Sequence, residues 1–156
     1  MDKKGLTQVQ NAAMVLVVAM VLSVVLLYAR FTTILQRCQD NAQMVLDSYV
    51  ITHAKEIYNA VKNGNNQMDE VELEQYKFNI SEQMGLDISG NHLYNKGEQG
   101  EVIFAFTNLS IANQESLLKL KSTYDVTIPV AFGGRELFDM TIAQGVTSYY
   151  TLKSDS

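Results

Sequence analysis

From Gly5 to Ala29 the chain carries no charged side chain, and the 18 residues Ala12 to Ala29 ("AAMVLVVAMVLSVVLLYA") are nearly all apolar. As a helix that stretch covers roughly 27 Å, close to the ~30 Å hydrocarbon core of a bilayer. Ten of its residues are Val or Leu. At about -0.3 to -0.6 kcal/mol each, they favour insertion by roughly 3 to 6 kcal/mol in sum. The expected fate of this segment is to lie in a membrane. A cleavable secretory signal has a shorter apolar region, about 7 to 15 residues, and ends in a small-x-small site. This run ends in "LLYARF", bulky and then basic, so the reading keeps the helix in the mature protein. Lys3 and Lys4 precede it, with Asp2 among them, and Arg30 and Arg37 follow. The positive-inside rule leans toward a cytoplasmic N-terminus and an extracytoplasmic C-terminal part.

The remainder reads as one modest domain within 156 residues. The net charge is -5, and beyond Arg30 acids outnumber bases further. The clustered basic surface that phosphate binding needs is missing, which argues against a nucleic-acid partner. A single cysteine, Cys38, rules out an intrachain disulfide and multi-cysteine zinc sites.

Beyond the apolar run the helical period persists. Phe31, Leu35, Cys38, Ala42, Val45, Tyr49, Ile57 and Val61 recur at steps of mostly three and four, with Gln36, Asp40, Gln43, Asp47 and Lys55 largely off that stripe. No proline interrupts, and Gly64 in "NGNN" is a stop signal, so the spacing predicts helix from near Leu6 to Asn63. Val71, Leu73, Tyr76, Ile80 and Met84 predict a short second helix ending at Gly85. The period then becomes two. "EVIFAFTNL" is apolar on both faces, as an interior strand requires, and Leu118, Leu120, Tyr124, Val126, Ile128, Val130 and Phe132 form the apolar face of another. "NQESLLKLK" fits a helical turn or the start of that strand equally well. "FGGRE" is a turn, after which Phe138, Met140 and Ile142 alternate with polar residues. Gly145 suggests a bulge before Val146 to Leu152, and Pro129 suggests an edge or strand end. The expected fold class is α+β. A long N-terminal helix, transmembrane and then amphipathic, packs on a small C-terminal antiparallel sheet of about three to five strands, with one short extra helix. The segments are 1–5 as a basic leader, 6–29 as the membrane helix, 30–63 as its amphipathic extension and 64–156 as the head.

This layout resembles a known family. The leader "MDKKG", a glycine before an uncharged apolar helix, an amphipathic extension and a C-terminal sheet domain are similar to type IV pilin-like subunits, most of all the TadE-like pseudopilins of tight-adherence pili. The resemblance covers the whole layout, with its specific motif in about the first thirty residues. It implies cleavage between Gly5 and Leu6 by a membrane-embedded prepilin peptidase, then assembly with other pilin-like subunits on a pilus assembly platform. It also implies a cytoplasmic-membrane location or a cell-surface filament. The family usually has glutamate at the fifth mature residue; here that position is Gln10, an amide that accepts a hydrogen bond but offers no charge pairing. Small residues Ala12, Ala13, Ala19, Ser23 and Ala29 are suited to close helix approach. The competing expectation is an uncleaved single-pass membrane protein whose external domain binds a protein partner.

Other candidates are weak. His53 lies near the stripe and reads as a packed or rim residue, His92 as a turn residue, and Cys38 as a small buried hydrophobe. "MDEVELE" lacks the spacing of a calcium loop and reads as a solvated helix face. Asn79 and Asn108 begin Asn-x-Ser triplets that match glycosylation acceptors. G-x-S-x-G, H-E-x-x-H and P-loop patterns do not occur. The expectation is a non-enzymatic protein with no metal and no cofactor.

Overall fold

The computed structural model describes residues 3–52, 55, 70–114 and 119–149. The chain divides into two compact units, Met1–Leu35 and Gln36–Ser156. Helix α1, Lys3–Thr52, contributes all of the described part of the first unit and the opening of the second. It begins before Leu6 and takes in Gly5. The expected stretch from His53 to the stop at Gly64 lies outside the described residues, apart from Lys55, which is helical.

The second unit is α+β. Helix α2 (Glu70–Met84) is followed by β1 (Asp87–Ser89), β2 (His92–Lys96), β3 (Val102–Gln114), β4 (Lys119–Phe132) and β5 (Arg135–Tyr149). The strands form one antiparallel meander in the order β1-β2-β3-β4-β5. Helix α2 ends where expected. Gly85 adopts φ 64°, and the Leu86 amide returns to Ser81 O at 2.8 Å, the six-to-one bond of a Schellman cap. The β4–β5 turn is Gly133–Gly134 with φ of 60° and 77°. Two successive positive φ values are what a two-residue hairpin of the I′ kind demands, so glycine here is a geometric requirement.

The core follows the two periods. On α1, Cys38, Ala42, Val45 and Tyr49 are buried as the stripe predicts; Leu46 and Val50 are buried with them, making the stripe wider than expected. On β4 the even residues Leu120 to Val130 all face inward, with a buried Ser122 among them. Central β3 buries Phe104, Ala105 and Phe106 in succession, the signature of a strand covered on both faces. Each large apolar side chain removed from water this way stabilises the fold by about 1.5 to 3 kcal/mol.

Two expectations change. Phe132, placed on the inward face of β4, is 65% exposed because the hairpin outruns the rest of the sheet. Gly145 makes no bulge: it pairs with Thr123 in unbroken register. A Cβ there would sit 3.4 Å from Ser122 O, an ordinary contact, so neither a bend nor a close backbone approach accounts for this glycine. The irregularities fall elsewhere, one of them between Thr107 and Ser110, where Asn108 takes φ 51° and supplies the extra residue of a bulge. Pro129 lies within β4, opposite Asp139 of β5, but the register with β3 ends at Ala105–Thr127. On its β3 side the proline is thus at a strand end, where a missing N–H leaves no ladder bond unmade.

Candidate functional site

In the first unit the candidate site is a surface. The most apolar 18-residue window of α1 has none of its residues buried. Met14, Val15, Val24, Leu26 and Tyr28 are each more than three-fifths exposed. In water so much apolar area is unfavourable; in hydrocarbon, or against other helices, it is the favourable state. The polar atoms along the helix are handled internally. Thr7 Oγ1 donates to Lys3 O at 2.9 Å and Ser23 Oγ to Ala19 O at 2.9 Å. Thr32 and Thr33 do the same toward Tyr28 O and Ala29 O. Such back-bonding is how hydroxyls are satisfied where no water is at hand. By length and composition α1 is able to cross a membrane.

All the residues singled out in this segment are helical and exposed: Gly5, Leu6, Gln10, Ala12, Ala13, Ala19 and Ser23. Helical geometry sorts them. Gly5, Ala12 and Ala19 are seven apart and Ser23 follows four later, so the four fall within about 40° of one another around the axis. Ala13 is about 100° away from Ala12, and Gln10 lies roughly on the opposite side. The small residues thus make one stripe that includes Gly5, leaving Ala13 and Gln10 on other faces.

The second unit holds a buried polar cluster. Tyr76 on α2 donates its hydroxyl to Ala42 O of α1 at 3.3 Å and lies beside the buried Ser122 of β4. Burial pushes this phenol up to about 12; the Ser122 hydroxyl pulls it down and the Asp47 charge pushes it further up. Burial likewise drives the Tyr124 phenol well above its usual range, with Cys38, Tyr76 and Asp40 adding to the shift. The Cys38 thiol is pushed up to about 12 by burial, against a smaller opposing pull from Arg37. A thiol held protonated and out of solvent is a poor nucleophile, so Cys38 behaves as the small hydrophobe the sequence suggested. The cluster joins α1, α2 and the sheet. Gln43 adds a second tie, donating from Nε2 to Thr147 O at 3.0 Å and to Asp47 Oδ1 at 2.9 Å.

Sequence reading overlooked Lys77, which is buried and donates from Nζ to Gly90 O at 2.8 Å while pairing with Glu74 at 3.3 Å. Its only sequence signal was its place one residue beyond Tyr76. His92, expected in a turn, instead opens β2 paired with Ser89, because the turn is confined to Gly90–Asn91; its Nδ1 is 2.9 Å from the Tyr94 hydroxyl. His53 lies outside the described residues. Asn79 sits within α2, and Ser81 of its triplet is buried with its hydroxyl on Leu86 O, a poor setting for a glycosylation acceptor. Asn108 donates to Asp125 Oδ2 at 2.8 Å. An open groove of about 490 Å³ lies between α1 and α2, lined by Met44, Ser48, Asn79 and Glu82 among others. Among the described residues no three His, Cys, Asp or Glu side chains come together in a way suited to a metal ion. Compared with protein-family models, characterised proteins and solved structures, the chain matches none.

Proposed function

We propose that this chain is a pilin-like structural subunit, a minor pilin or pseudopilin of a type IV or Tad-type filament or secretion apparatus. It is processed after Gly5 and assembled through its apolar N-terminal helix. The observation that carries the reading is the uncharged helical surface from Gly5 to Ala29, exposed at every position but the half-buried Leu27 and joined to a head with its own core. Such a surface fits two environments in succession, the bilayer as a precursor and a bundle of like helices after assembly. The stripe of Gly5, Ala12, Ala19 and Ser23 supports the second, since small side chains let helix axes approach closely. Partners on this reading are other pilin-like subunits, a prepilin peptidase, an assembly platform and the lipid bilayer. The role is structural and requires neither cofactor nor catalytic group.

Two observations favour the alternative of an uncleaved, single-pass anchored domain: α1 runs unbroken through the Gly5–Leu6 bond, and Gln10 lacks the charge that would pair with a neighbour's free amine. Intact mass with N-terminal sequencing, on protein purified from its own host's membrane or surface fraction, separates the two. A chain beginning at Leu6 is the expected result. A chain that retains Lys3, Lys4 and Gly5 excludes the pilin reading and leaves the anchored domain.

A further inference from the structure

Within Gln36–Ser156, α1 and the β4–β5 hairpin run alongside each other in a fixed direction. Gln43 bonds Thr147, whose cross-strand partner is Lys121. Ala42 O accepts from Tyr76, which lies beside Ser122, and Cys38 lies close enough to Tyr124 to act on its phenol. Stepping back along the helix is therefore stepping forward along β4, toward Phe132 and the Gly133–Gly134 turn. The hairpin tip lies at the end of this unit where Gln36 joins the preceding chain. From Tyr124 to Phe132 the strand travels ~26 Å in that direction. Gln36 itself follows Arg30, the first charge after the apolar run, by six residues, at most ~21 Å of chain.

At that tip the sheet stops being a core. Val130 is 7% exposed, but Phe132, Leu137 and Phe138 are 65%, 61% and 58% exposed. Phe138 stands opposite Val130 and continues the inward face past the last covered residue, with Phe132 next along it. The irregularity at Val130–Ala131 inserts Leu137 as an extra residue and brings a third large apolar chain to the turn. Single exposed apolar residues are ordinary; three adjacent ones on a projecting hairpin, beside Arg135, are an interaction surface.

We propose that the β4–β5 hairpin tip is a second membrane contact. Phe132, Leu137 and Phe138 enter the interfacial zone of the bilayer that holds the apolar helix, and Arg135 lies among anionic headgroups. Aromatic and aliphatic side chains with a neighbouring cation are the composition that partitions to this zone. The inference rests on the membrane reading of α1. The contact holds the head at the bilayer surface.

The test uses the full chain with Cys38→Ala and single spin-labelled cysteines at Ala131, Ser23 or Glu98, one copy per nanodisc of zwitterionic and anionic lipid. The readout is accessibility to oxygen relative to a water-soluble nickel chelate. The expected result is a ratio several-fold higher at Ala131 than at Glu98, highest at Ser23, with the Ala131 value falling to that of Glu98 when Phe132→Asp and Phe138→Asp are added. An Ala131 label as aqueous as Glu98, with Ser23 still buried in lipid, overturns the proposal and leaves the anchor reading intact. A Ser23 label in water overturns both. A ratio that rises only when several copies share a disc assigns the tip to another protein copy and overturns the lipid contact.

Discussion

Val15 and Val45 belong to one helix and meet opposite conditions: Val15 is 69% exposed, Val45 7%. Helix propensity does not distinguish them, since the same element carries both. What differs is the company each keeps in sequence. Around Val15 every face is apolar, so no direction is privileged and the segment needs an apolar surrounding on all sides. Around Val45 the apolar residues form a stripe between Asp40, Gln43 and Asp47, which gives the helix one side to bury and one to leave wet. The first half is adapted to an environment; the second is adapted to a partner surface in its own chain.

The largest expected effect is in the buried half. Leu46→Ala, at a fully buried position, should destabilise the head by about 2 to 5 kcal/mol, whereas Leu26→Ala, 65% exposed, should leave head unfolding within about 0.5 kcal/mol of the parent. Urea titration of the full chain in detergent, followed by tyrosine signal, reads this directly. Equal losses at the two sites would break the contrast. Next comes a charge in the greasy half. Val18→Arg should raise the cost of insertion by about 3 kcal/mol and shift the protein out of the alkali-resistant membrane fraction, while Met44→Arg, on the exposed side of the second half, should not. Persistence of the Val18→Arg protein in membranes would mean that the segment is held by protein instead of lipid.

Alkaline pH probes the buried cluster that joins the second half to the sheet. The Cys38 thiol and Tyr76 phenol both rise to about 12 in the folded head, from 9.0 and 10.0. Both bind their protons more tightly folded than unfolded, so their contribution is fully present below about pH 9 and is lost as pH climbs from 9 to 12. The urea midpoint should be level from pH 7 to 9 and then fall, less steeply in Tyr76→Phe. A flat midpoint up to pH 11 would place these groups in water. The smallest effect belongs to the sheet. Asn108 sits at φ 51°, so Asn108→Ala should cost about 1 kcal/mol while Asn108→Gly stays near the parent. A Gly variant as weak as the Ala variant would show that the Asp125 hydrogen bond, rather than the backbone, is what matters there.

Much of this arrangement was legible because period and punctuation are local. The switch from steps of three and four to steps of two located α1, α2 and the long strands β3 to β5, though not the short β1 and β2, and Gly85 and Gly133–Gly134 marked a cap and a turn by a conformation that glycine adopts without strain. Lys77 and Ser122 were not legible, because a polar residue is buried only when a distant segment supplies its bond or cover: a hydrogen bond to Gly90 O for one, the side chain of Tyr76 as cover for the other. Phe132 misled for the converse reason. Its alternation is that of a core residue, but alternation says which face a side chain is on and nothing about how far the opposing layer extends. Gly145 misled because a glycine in a strand need not mark a bulge, and only the pairing register shows whether one is present.

By itself the sequence determined that the chain has an uncharged apolar helix, a one-sided helical continuation and an alternating C-terminal half, because those are patterns among near neighbours. Tertiary structure alone decided that β4 lies between β3 and β5, that Tyr76 bridges α1 to the sheet, and that the β4–β5 hairpin leaves three apolar side chains uncovered at its tip. Burial is a property of what arrives from elsewhere in the chain, and no local pattern encodes where the covering layer ends.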